Sequence, residues 1–329
     1  MKTLFDKTQI KGMSLKNRFI RAAVGDPADG YINKNILDLY DKLAKGGAGT
    51  LITGYTLIDE AEKQFPQMLA FYDDSFTAGH KELVDLAHSY NANIILQLVY
   101  IGSYSSEVLH DRVKNLIDKS KILAPSAVQN INTGNIAKEA SIDDLKNIQQ
   151  KFAQAALRAK NTGYDGIEIH AAHGFFLSQF MSHYYNRRKD NYGGSVQNMA
   201  RMSIETYEAI RKAVGADYPV FIKVNVKDDE QIKLSFDDVL YLCGQLSQKG
   251  IDAIEISGSF RKFSQESTSF FKEEAEKIAK QNETAVILTG GNRNFNEMTS
   301  ILNSSEIEYF GMARSLIADP DLINKFAKE

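Results

Sequence analysis

The chain has 329 residues, 43% of them hydrophobic, with 39 Lys+Arg against 42 Asp+Glu and a formal net charge of −3. So even a balance excludes the basic field that nucleic acid or anionic lipid would need, and no apolar run is long enough to span a bilayer. The single cysteine, Cys243, excludes an internal disulfide, and Met1 to Arg21 lacks the apolar core of a signal peptide, so a cytoplasmic location is expected.

The residues before Asn17, with Gly12 between two short runs, predict a hairpin that covers one end of the fold. After it, short apolar runs alternate with amphipathic segments. Phe19–Val24 is the first strand, and Asn35–Lys45 follows with Ile36, Leu39, Tyr40 and Leu43 at helical spacing. Gly49–Gly54 and Ile94–Leu98 are the next two strands. The long polar connection Tyr100–Thr133 then predicts an excursion on the active-site side of the fold. A helix over Leu145–Lys160 starts after Ser141, which precedes an acidic first turn. Gly166–His170, a helix over Ser195–Ala213, Val220–Asn225 and a helix over Phe236–Gln248 come next. Ala253–Ser257, Val286–Thr289 and Tyr309–Met312 complete the strands. Gly46–Gly47, Gly163 and Gly250 punctuate helix ends. Eight β-then-α units with apolar strands predict one closed (β/α)8 TIM barrel over residues 1–329, with no composition shift to mark a second domain.

Barrel enzymes carry their chemistry at the C-terminal ends of the strands. There, Asp165-Gly166-Ile167-Glu168-Ile169-His170-Ala171-Ala172-His173-Gly174-Phe175 ends a strand in two histidines separated by alanines. Two such imidazoles can both donate to one substrate oxygen and stabilise negative charge developing on it. Zinc is the rival reading, but no third ligand lies nearby in the sequence. Thr289-Gly290-Gly291-Asn292 and Gly311-Met312-Ala313-Arg314 close the last two strands, where barrels commonly bind phosphate on backbone N–H groups and a forked cation. Lys223, within Phe221–Asn225, is a lysine in a buried strand; it fits a Schiff base or a contact to an electron-rich cofactor atom. Gln97 is likewise an amide at the end of an apolar run.

Together these residues resemble the old yellow enzyme family of FMN-dependent oxidoreductases. The resemblance runs from Leu15-Lys16-Asn17-Arg18-Phe19 to Leu316-Ile317-Ala318-Asp319-Pro320-Asp321-Leu322. It is most specific from His170 to Arg201, through Asn186-Arg187-Arg188 and Tyr192-Gly193-Gly194-Ser195. It implies FMN as cofactor and NADH or NADPH as reductant. It implies that Ala23, Val24 and Gly54 offer backbone contacts to the flavin ring, that Gln97 reads its pyrimidine edge, and that Lys223 stands near N1. Gly290, Gly291, Ala313 and Arg314 would form the phosphate cradle. His170 and His173 would grip the oxygen of an electron-poor acceptor (an α,β-unsaturated carbonyl, a quinone or a nitro compound), with Tyr100 and Phe175 in the substrate pocket. The Asn186–Ser195 stretch is expected to be loop architecture.

The chain departs from the pattern in several places. Phe175 stands where the family commonly has a proton-donating tyrosine, which favours acceptors that need no carbon protonation and leaves Tyr100, Tyr184 and Tyr185 as candidate donors. Gln97-Leu98-Val99-Tyr100-Ile101-Gly102-Ser103 lacks a histidine and an arginine that often shape the pocket, and Ala22-Ala23-Val24-Gly25-Asp26 lacks a threonine or cysteine for the flavin. Lys223 replaces a forked arginine with a compact charge. The competing readings are a class I aldolase-type barrel using Lys223, and a flavin-binding protein without efficient alkene reduction. A dihydroorotate or dihydrouridine dehydrogenase-like barrel is a further one, disfavoured because Cys243 lies inside a helix. A small-molecule acceptor is the expected partner; whether the chain forms a homo-oligomer is open.

Overall fold

A computed structural model describes residues 1–26, 28–62, 68–105, 121–258 and 268–328. Eight parallel strands run in chain order: β1 (Phe19–Arg21), β2 (Thr50–Ile52), β3 (Asn93–Val99), β4 (Gly166–Ala171), β5 (Val220–Lys227), β6 (Ala253–Gly258), β7 (Ala285–Thr289) and β8 (Tyr309–Met312). Each pairs with the next, and β8 pairs back to β1 through Phe310 and Phe19, which closes the barrel. The helices Lys34–Lys45, Ile142–Thr162, Val196–Val214 and Phe236–Gln248 match the predicted segments to within three residues. Ser141 and Asp144 form a reciprocal capping box, and Gly163 ends that helix at φ 102°. Part of the connection expected over Tyr100–Thr133 lies outside the described residues.

A closed barrel forces alternate residues of each strand inward, and this decides what fills it. The lowest interior layer is apolar: Ile20, Ile52, Ile95, Phe221, Ala253, Ile287 and Tyr309. The antiparallel hairpin Thr8–Ile10 and Met13–Leu15 packs Ile10, Met13 and Leu15 onto the same cluster. The predicted cap is therefore a plug that seals the barrel floor against water. Outward residues such as Leu96, Leu98, Ile167, Ile169, Ile254 and Ile256 meet the helices in the larger core.

One buried polar knot lies between β1, β2 and the first helix. Arg21 Nη2 and Asp26 Oδ1 stand 2.8 Å apart, both almost fully buried. Asp26 Oδ2 accepts from Tyr40 Oη at 2.6 Å and from the Gly54 amide at 2.7 Å, while Arg21 Nη1 donates to the Ile52 carbonyl. Every strong partner of the ion pair is thus supplied by protein, which such burial requires. Asp26→Ala is expected to cost about 3–5 kcal/mol by leaving a guanidinium buried without its carboxylate, as measured by urea unfolding.

Candidate active site

Above the apolar floor, strand register sets two polar pairs at one level. Gln97 on β3 is the register partner of Glu168 on β4, and Lys223 on β5 that of Glu255 on β6. Gln97 Nε2 donates to Glu168 Oε1 at 2.6 Å, and Lys223 Nζ stands 2.9 Å from Glu255 Oε1. All four side chains are buried. The two carboxylates respond in opposite directions. Burial, then repulsion from Glu255, raises the Glu168 pKa well above the usual carboxylate range. Burial also opposes charge on Glu255, but the Lys223 ammonium and neighbouring hydrogen bonds outweigh it and lower that pKa. Negative charge is thus favoured on Glu255, beside the ammonium, over Glu168. Schiff-base chemistry would need the Lys223 amine neutral and free to attack; here it faces a carboxylate.

One pleat higher, His170 ends β4 and His173 sits in the turn beyond it. The rings meet edge to face with centroids 5.2 Å apart. His173 has φ 59° and Gly174 φ 80°, so two consecutive left-handed residues turn the chain back over the barrel mouth. The turn is pinned from below: the His173 amide donates to Asn225 Oδ1 at 3.1 Å, and His173 Nε2 lies 2.9 Å from Ser257 Oγ. The Ala172 amide donates to His170 Nδ1 at 3.2 Å. That nitrogen must keep its lone pair, so in the neutral ring Nε2 carries the proton and is the available donor. Burial, then the charges of His173 and Lys223, pushes the His170 pKa well below its ordinary value. Burial and Lys223 bring His173 to about 3. Both rings are neutral near pH 7, and His170 presents Nε2–H as a donor.

Beside the histidines opens a cavity of about 390 Å³, lined by Ala23, His173, Lys223, Ser257, Phe270, the Gly290–Gly291 turn, Arg293, Ala313 and Arg314 among others. Three cations line it, and no carboxylate does among the described residues. Gly290 and Gly291 have φ 129° and 82°, and a Cβ on either would come within 2.8 Å of Phe271 or Phe270. Asn292 holds this turn against the next strand by donating to the Leu288 and Gly311 carbonyls at 2.6 and 3.0 Å.

The structure therefore brings Ala23, Lys223, Gly290, Gly291, Ala313, Arg314 and His173 to one cavity, with His170 at its edge and Gln97 in the layer beneath. Phe175 packs against His170 at 4.8 Å between centroids. Three residues behave differently. Tyr100 lies on the outward side of β3, 2% exposed and packed on Phe176, so it does not reach the cavity. Gly54 has its amide already engaged by Asp26 and Tyr40, and Val24 is half-buried. Glu168, Glu255, Asn225, Ser257 and Arg293 belong to the site and carry no role in the sequence reading. The first four occupy inward positions of strands, a signal that alternation alone supplies. The Asn186–Ser195 stretch is architectural: Asn186 Nδ2 donates to the Phe180 and Tyr192 carbonyls, and Arg188 to those of Pro125 and Ala140.

The NADH:flavin oxidoreductase / NADH oxidase family model matches residues 3–329. The chain belongs to that family. It is 30% identical over 333 residues to a metal reductase of Desulforamulus reducens, covering 99% of this chain and 48% of that protein. An NADH oxidase of Thermoanaerobacter brockii is 29% identical over 340 residues, covering 99% of this chain and 50% of that protein. The chain thus spans about half the length of these curated relatives. An NADPH dehydrogenase of Bacillus velezensis is 28% identical over 336 residues and matches nearly end to end, 99% of this chain and 94% of that one. Among solved structures, morphinone reductase in complex with tetrahydroNAD superposes with a TM-score of 0.83 at 24% identity, covering 100% of this chain and 91% of that one. A 2-naphthoyl-CoA reductase reaches a TM-score of 0.91 at 23% identity over 99% of this chain and 52% of its own. These two likenesses establish the barrel fold.

Family membership brings FMN as cofactor, with NADH or NADPH as reductant, and the cavity fits it. The side chain-free turn at Gly290–Gly291, with Arg293 and Arg314 beside it, has the space and charge that a phosphate dianion requires. Deeper, Lys223 and the buried, unpartnered Oε1 of Gln97 offer a cation and an acceptor to a polar ring edge. No group of His, Cys, Asp and Glu suited to a metal occurs among the described residues.

Two outcomes follow from this geometry. Gly291→Ala, which puts a methyl group 2.8 Å from the Phe270 ring at φ 82°, is expected to weaken FMN binding at least ~10-fold in a fluorescence titration. The lowered His173 pKa makes its neutral form part of the folded state. Stability from this source is complete above the unfolded value near 6.5 and declines as pH falls towards 3. Because the ring keeps some exposure, the loss between pH 7 and 5 is set at about 1–2 kcal/mol. His173→Asn should remove that increment from urea unfolding measured at the two pH values.

Proposed function

We propose that this chain is an FMN-dependent NAD(P)H oxidoreductase that reduces electron-poor small molecules. The observation that carries the reading is the adjacency of two features: a cavity lined by Lys223, Arg293 and Arg314, and a pair of neutral histidines at its mouth. Bound FMN supplies hydride transfer at one face of its ring.

The residues of the chain do the rest. Gly290, Gly291, Ala313, Arg293 and Arg314 hold the phosphate; Gln97 and Lys223 address the ring edge. Glu255 balances the Lys223 charge while the site is empty of anion, so that no isolated cation is buried. His170 and His173 donate to the acceptor's carbonyl or nitro oxygen. Being neutral, they polarise the acceptor through hydrogen bonds alone. Their aim is fixed before binding by the Ala172 amide, Asn225 and Ser257. Phe175 packs on the His170 ring, and Tyr55 packs on Phe175 beside the pair.

The purified protein is expected to be yellow and to bleach anaerobically on addition of NADH or NADPH. Arg314→Ala should lower FMN retention at least ~10-fold through loss of a charge-assisted contact. A colourless protein that takes up no added FMN would sink the reading. A protein that bleaches but is reoxidised by no enone, quinone or nitro compound would leave a flavin carrier in its place.

A further inference from the structure

With Phe175 where a hydroxyl would be expected, the source of a proton at the acceptor is open. The tyrosines nearest in sequence do not supply it. Tyr100 is buried behind β3. Tyr184 donates to the Gln129 carbonyl at 2.9 Å, and Tyr185 packs edge-on against Tyr184 at 4.9 Å between centroids, with no ring contact to His170. The fold brings a different one to the histidines. Tyr55 leaves the end of β2 and is held there by the pairing of Thr56–Leu57 with Leu98–Val99. Its ring stands 5.6 Å from Phe175 and 6.5 Å from His170, centroid to centroid. Gly25 makes room for it: a Cβ at that position would come 3.0 Å from the Tyr55 hydroxyl. No hydrogen bond to that hydroxyl occurs among the described residues, so its proton is not committed to the fold in the way that of Tyr184 is. Tyr104 flanks Phe175 on another side at 5.3 Å, but has no ring contact with His170.

We propose that Tyr55 is the proton donor to the α-carbon of an α,β-unsaturated carbonyl acceptor, supplying from β2 the hydroxyl that Phe175 lacks. The proposal rests on the flavin-reductase reading above and names its acceptor class. The reaction balances as follows. NAD(P)H provides the hydride that reaches the β-carbon, leaving NAD(P)+. The C=C electron pair moves towards the oxygen held by His170 and His173, giving an enolate. The enolate α-carbon takes the Tyr55 phenolic proton, and solvent returns a proton to the phenolate. An enolate carbon is far more basic than a phenolate, so the transfer runs downhill. Burial, with Tyr104 adding to it, raises the Tyr55 pKa, and the group keeps its proton until that carbanion forms.

The test compares wild type, Tyr55→Phe, Tyr104→Phe and the double variant Tyr55→Phe/Phe175→Tyr as FMN-loaded proteins. Each is reduced with NADH or NADPH without oxygen, then mixed with 2-cyclohexenone or with 1,4-benzoquinone, whose reduction needs no carbon protonation. The expected result is a fall of at least ~100-fold in the enone-to-quinone rate ratio for Tyr55→Phe. Enone affinity, read from flavin absorbance of the oxidised protein, should shift by less than ~3-fold. The double variant should recover at least ~10-fold of the ratio. An unchanged ratio in Tyr55→Phe, a loss that appears in Tyr104→Phe instead, or a wild type reoxidised by quinone but by no enone would overturn the proposal and leave the reductase reading standing. Failure of wild type to bleach with either nucleotide would overturn both, and is distinguished by occurring before any acceptor is added.

Discussion

The site depends on how a cation is tolerated inside a closed barrel. Lys223 points into the interior because strand alternation leaves it no other direction, and an ammonium there without a partner would be prohibitively costly. Glu255, its register partner on the neighbouring strand, meets that charge at 2.9 Å. Burial and the neighbouring Glu255 charge then push the Glu168 pKa well above the usual carboxylate range. Gln97 completes the layer by donating to Glu168. The level below is hydrocarbon and sealed by the hairpin, so the polar layer is wet only from above. The electrostatic character of the mouth follows from this arrangement. The positive charge at depth is balanced by Glu255, and two further cations, Arg293 and Arg314, lie to one side with the Gly290–Gly291 turn.

The same alternation explains which parts of this layer could be read from the sequence and which could not. Lys223 and Gln97 stand out because a lysine and an amide interrupt or end runs of Ile, Leu, Phe and Val. Glu168 and Glu255 interrupt such runs equally, and parity places each of them inward: Glu168 is two residues before His170, and Glu255 is two before Ser257. In a sheet with one solvated face, a glutamate marks an exposed alternate position. In a barrel covered on both faces there is none. The eight strands and four of the helices were legible to within three residues, since buried parallel strands leave apolar runs and the capping signal at Ser141 is local. The helices Thr77–Ser89, Lys272–Gln281 and Phe295–Ser304 were not delimited.

Other features needed three dimensions. Gly54 and Asp26 are far apart in sequence, and nothing local signals that the Asp26 carboxylate will accept the Gly54 amide and withdraw it from ligand contact. Tyr55 is one residue further on. Its importance comes from the return of β4 and its turn to the same side of the barrel, a meeting of segments more than a hundred residues apart. Tyr100 shows the converse. Its place in a family pattern argued for the pocket, but parity along β3, where Ile95 and Gln97 face inward, turns it towards the helices.

The plugged floor has a consequence for how the molecule comes apart. The lower layer is dry, interdigitated and tied to the N-terminal hairpin. The upper end is built from turns at positive φ, polar pairs and a cavity. Fluctuations that expose backbone amides should therefore begin at the mouth and die out towards the hairpin, giving a gradient of exchange protection along the barrel axis. A ligand bridging the Gly290–Gly291 turn and the β3 and β5 side chains would act as a crosslink at the looser end. The folded state then tightens as the cavity fills, by an amount set by ligand concentration over its dissociation constant. In that sense the hairpin and the ligand do the same job at opposite ends of one cylinder, the first permanently and the second on loan.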